Sequence, residues 1–119
     1  MRRRSPVPLS GYLHGGMRTP LTCDEFVAVL DQWVGHLVAV RVVTDSDELL
    51  AVFCGALSER SDEKHPALFW PLTHPGQVDH PERPVVYLHS EHFQTAALHV
   101  GATVVELRQD GVTLNLRRL

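Results

Sequence analysis

The chain has 119 residues, 44% of them hydrophobic and 21% charged, with a formal charge of −3. That is the length of one domain, enough for a core without disulfide or metal staples, and the composition excludes disordered and fibrous classes. No apolar run approaches the roughly 20 residues needed to span a bilayer, and Met1–Arg4 leads into Ser5-Pro6-Val7-Pro8 instead of an apolar signal core, so a cytoplasmic chain without membrane contact is expected.

The charge is unevenly distributed. Removing the positive charges of Arg2, Arg3, Arg4 and Arg18 from the formal −3 leaves −7 for the rest. An acidic body repels nucleic-acid phosphates, which disfavours nucleic acid as the main partner and leaves Arg2, Arg3 and Arg4 as a candidate nucleic-acid arm. The chain lacks Ile and has a single Lys, Lys64, and a single Asn, Asn115. This bias points to a GC-rich bacterial genome and weakens any inference from arginine content to phosphate recognition. Cys23 and Cys54 form no CxxC pair and are expected to be reduced.

Residues 1–20, dense in Pro and Gly without periodicity, read as a flexible arm with one ordered patch at Tyr12-Leu13, and residues 21–119 as a single globular domain. Thr22-Cys23-Asp24-Glu25 is a capping box. Leu21 and Phe26 are placed for a hydrophobic staple, while Phe26, Val29, Leu30 and Trp33 keep helical spacing up to a left-handed stop at Gly35. A helix over Thr22–Val34 follows. Cys23 in its first turn is a candidate activated thiol, weighed against a plain small apolar side chain.

From His36 to Thr44 the period changes to two, which predicts a strand. Asp45-Ser46-Asp47 predicts a turn, and Leu49–Leu57 a second strand, apolar on both faces and bendable at Gly55. Such a strand should be buried twice, either inside a curled sheet or in a subunit contact. Asp45, Asp47 and Glu48 lack the glycine and distal glutamate of a calcium loop and read as turn formers.

Glu59–Pro66 reads as a charged loop, Ala67–Trp70 as a third apolar run demoted to an edge by Pro71, and Pro71–Pro84 as a Pro- and His-rich loop. Val85–His89 is β-like. Ser90–His92 could open a short helix, because Phe93, Ala96, Ala97 and Val100 keep helical spacing before Gly101, although a strand is the alternative over 90–100. Asp110-Gly111 between two alternating runs predicts a closing hairpin.

A mostly β fold follows: an N-terminal helix and a five- to six-stranded antiparallel barrel, SH3-like or Sm-like in element order, with a helix on an open antiparallel sheet as the alternative. The chain has no GxSxG elbow, Walker loop or GxGxxG turn, so a non-enzymatic module without a cofactor is expected. Three partner readings compete. In the first, the chain associates with a protein, most simply a second copy of itself, through Leu49–Leu57 or the edge near Trp70. In the second, Phe69, Trp70 and Tyr87, which read first as core with Trp70 before Pro71 the readiest exception, form a stacking surface for nucleic acid. In the third, His74, His80, His89 and His92, with Asp79, bind a metal ion, although their spacing is not that of a zincin.

Overall fold

The structure is a computed structural model and describes residues 18–62, 66–73, 84–99 and 101–119. The helix forms where its caps dictate. Thr22 Oγ1 accepts the Glu25 amide at 3.1 Å, and Glu25 Oε1 accepts the Thr22 amide at 2.8 Å, closing the box at the start of α1, Cys23–Trp33. A short strand, β1 (Arg18–Leu21), precedes it, so the last part of the expected arm is paired backbone. The Tyr12-Leu13 patch lies outside the described residues.

Seven further strands follow: β2 (Leu37–Thr44), β3 (Leu49–Leu57), β4 (Ala67–Thr73), β5 (Val85–His89), β6 (Phe93–His99), β7 (Val104–Gln109) and β8 (Val112–Arg118). They form one eight-stranded antiparallel sheet in the order β1-β6-β7-β8-β2-β3-β4-β5. The closed barrel of five or six strands is therefore not what forms. The sheet stays open, ending on β1 and β5: β4 and β5 extend one flank beyond β3, and β6 and β1 extend the other beyond β7.

One apolar cluster fills the inner side. Phe26, Leu30 and Trp33 of α1 meet Val38, Val40, Trp70, Leu72, Val86, Leu88, Val105, Leu107, Leu114 and Leu116. Each such side chain contributes roughly 1.5–3 kcal/mol on leaving water. β4 comes closest to β3 at Gly55. A Cβ there would lie 2.9 Å from the Thr73 carbonyl oxygen and 3.2 Å from Leu72 Cβ, so only glycine lets β4 approach β3 so closely. The closing hairpin has Asp110 and Gly111 at φ 53° and 78°, the two positive values of a type I′ turn.

Two segments depart from expectation. Residues 90–99 carry only a 3₁₀ turn, Ser90–His92, before β6 begins at Phe93. The helical spacing of Phe93, Ala96 and Ala97 coexists with period two, and pairing on both sides, with β1 and β7, decides for the strand. Within a single copy, β3 is also not buried on both faces. Leu49, Leu50 and Val52 are 51%, 55% and 65% exposed, and only Gly55 and Leu57 are buried. The register slips between Val42 and Val43, where Leu50 is an extra bulged residue, and β4 flanks only the last part of the strand.

Candidate functional site

The expected aromatic surface divides between the two faces of β4. Trp70 is fully buried, with its ring edge-on to Phe26 at 6.4 Å and its indole N–H donating to Asp31 Oδ1 at 3.1 Å. It is core, and β4 is an interior strand. Pro71 is tolerated because its missing N–H faces the segment after β3, where the ladder is broken between the Leu57↔Leu72 pair and the Ser61↔Phe69 bridge. Phe69 and Tyr87 do lie together, half-buried, with ring centroids 5.3 Å apart. Tyr87 continues to His89 at 6.4 Å, and His89 stacks on His92 at 4.2 Å and 15°.

Of the four expected metal ligands, only His89 and His92 are described and brought together; His74 and His80, like Asp79, lie outside the described residues. The pair is stacked ring on ring instead of converging through nitrogen. His89 Nδ1 accepts the Glu91 amide at 3.2 Å, and His92 Nδ1 lies 3.9 Å from Asp110 Oδ2. Among the described residues, no three His, Cys, Asp or Glu side chains are grouped to hold a metal ion. Arg2, Arg3 and Arg4 also fall outside the described residues.

Cys23 is not an activated thiol. Burial, with Asp24 beside it, pushes its pKa up and keeps the thiol protonated. Cys54 is exposed on β3.

The sheet's strand edges are the features that sequence reasoning left unassigned. On β5 the Tyr87 carbonyl and His89 amide point away from β4, and a single side chain meets both: Gln109, 2% exposed, donates to Tyr87 O at 2.6 Å and accepts from His89 N at 3.0 Å. The amide of Gln109 replaces the peptide group of a missing neighbouring strand. β1 is short and contains Pro20, both guards against further pairing.

β3 is different. Its ladder with β4 contains only Ala56↔Thr73 and Leu57↔Leu72. Leu57 donates to His36 O and accepts from Gly35 N on the β2 side, so alternation turns the amides and carbonyls of Val52 and Cys54 to the opposite, open side. No neighbouring strand covers Leu49–Cys54 there among the described residues. The stretch has no charge, proline or glycine, and Leu37 of β2 adds a fourth exposed apolar side chain, at 48%.

Comparison with protein-family models, curated proteins and solved structures finds no match to this chain. Among the described residues no helix is long and apolar enough to cross a membrane.

Proposed function

We propose that this chain is a non-enzymatic assembly module that pairs with a second copy of itself along the open edge of β3. One observation carries the reading: among the described residues, Leu49–Cys54 is an uncharged apolar edge with exposed side chains and outward-facing backbone groups, in a sheet whose other edges are blunted. Long apolar edges without Lys, Pro or a cover pair with other chains. A second copy is the occupant that matches best, because it presents an edge of the same length and character and brings no charge against it. A two-fold contact of this kind is self-complementary and closes at the dimer.

Pairing would cover Leu49, Leu50 and Val52 and satisfy the backbone groups of Val52 and Cys54. Light scattering across micromolar concentrations tests it: a dimer is expected, and a strict monomer throughout overturns the reading. A second reading, an Sm-like nucleic-acid-binding fold, draws support from the half-buried band of Phe69, Tyr87, His89 and His92, since bases stack on such rings. It predicts oligonucleotide binding with steep salt dependence, and no binding at low salt removes it.

A further inference from the structure

The arginines of the described residues fall into two groups. Arg18 pairs with Glu106, Arg60 with Asp31 and Asp62, and Arg108 with Asp45, while the Arg118 guanidinium lies 5.8 Å from the centre of the Trp33 ring. Arg41 and Arg117 have no acidic or aromatic partner among the described residues. These two share one place. Arg41 is opposite Asn115 and Arg117 opposite Ala39 in the β2-β8 ladder, which makes the arginines diagonal neighbours on the face of the sheet away from the core. Diagonal positions in an antiparallel pair are roughly 7–8 Å apart, within reach of two long side chains converging on one group.

Between them is a depression of about 350 Å³, lined by Ala39, Val52 and Val104 together with Arg41, Asn115 and Arg117. Its size is at the lower end of small-ligand sites, about 300–1,000 Å³, and its make-up is typical of them: an apolar floor with a few placed polar groups. The Asn115 side-chain amide makes no hydrogen bond among the described residues and stands between the guanidiniums in register. Two unpaired like charges on adjacent strands repel, and in a chain of formal charge −3 there is no shortage of carboxylates to neutralise them. An oxyanion between them would relieve the repulsion and accept from both forks.

We propose that this depression binds a small organic anion, a carboxylate or phosphate monoester with a short apolar group. The oxyanion sits between Arg41 and Arg117 with the Asn115 amide donating, and the apolar group rests on Ala39, Val52 and Val104. Every group of the site comes from one copy, and Val52 belongs both to its floor and to the β3 edge.

An amide-resolved NMR titration of the full chain tests it, with phenyl phosphate, benzoate, inorganic phosphate and uncharged benzyl alcohol as probes. Saturable shifts centred on Ala39–Arg41, Val52, Val104 and Asn115–Arg117 are expected for at least one organic anion, and whichever of the two binds tighter separates phosphate from carboxylate recognition. Inorganic phosphate should bind about tenfold more weakly for want of the apolar contact, a difference of about 1.4 kcal/mol. Arg41→Gln and Arg117→Gln should each weaken binding about tenfold or more, while Arg60→Gln leaves it unchanged. The proposal is overturned if no probe saturates in the millimolar range, if benzyl alcohol matches the anions, or if Arg60→Gln weakens binding as much as the two groove substitutions. Because Arg41 and Arg117 lie on β2 and β8, unchanged light scattering in both groove variants keeps this test separate from that of self-association.

Discussion

The open sides of β5 and β3 face the same problem and meet it in opposite ways. On β5, a buried glutamine amide takes up the Tyr87 carbonyl and the His89 amide, so the strand ends the sheet without offering it for extension. On β3, from Leu49 to Cys54, nothing among the described residues takes that role, and the exposed side chains are leucine and valine instead of lysine. A polar side chain buried to close one edge makes the bareness of the other informative. Edges that natural sheets leave apolar and unguarded are those that meet a partner.

The comparison can be broken most forcefully at the closed edge. Gln109→Leu keeps the bulk but leaves a part-buried carbonyl and a part-buried amide without their partner, at a cost of up to about 1–3 kcal/mol each. Urea denaturation should register that loss, and a change below about 0.5 kcal/mol would mean that the closure is dispensable. Gly55→Ala tests the joint where β3 passes from open to covered. Its new methyl would meet the Thr73 carbonyl at 2.9 Å, and the forced shift should cost about 1–3 kcal/mol in the same assay.

Val52→Lys acts on the open edge, at a residue that also lines the Arg41–Arg117 depression. Val52 is 65% exposed, so the folded single copy should change by less than about 0.5 kcal/mol. Association, by contrast, should disappear in sedimentation, because a lysine placed there does what natural edges use it for. The smallest expected effect is chemical. Burial and Asp24 raise the Cys23 pKa, so at a given pH its thiolate fraction lies below that of an ordinary thiol, and raising the pH brings it up. Iodoacetamide followed by mass mapping should label exposed Cys54 before Cys23 in dilute protein, with Cys23 catching up at alkaline pH and Cys54 slowing as concentration rises.

Elements stabilised by near neighbours were legible in the sequence. Thr22 and Glu25 announce α1, and Asp110-Gly111 announces the last hairpin, because cap and turn chemistry lie within a few residues of the structure they make. Legibility failed where a distant strand decides. Phe93–His99 carries both periods and becomes β6 only through pairing with β1 and β7. Pro71 suggests an edge and marks Trp70 as the readiest exception to a core placement, yet the broken ladder beside β3 accommodates the proline and the indole turns inward to Asp31. Gln109 gave no local signal at all; a polar residue before a turn becomes a strand surrogate only once β5 lies beside it. Arg41 and Arg117 were readable as outward positions of their strands, but not as neighbours or as the arginines without partners.

Amide hydrogen exchange followed as a function of protein concentration reads both edges in one experiment. Exchange at His89, bound by Gln109, should be slow at every concentration, while Val52 and Cys54 should exchange freely in dilute protein and become protected together as copies associate. Val52 and Cys54 amides that remain unprotected at all concentrations would contradict pairing through β3.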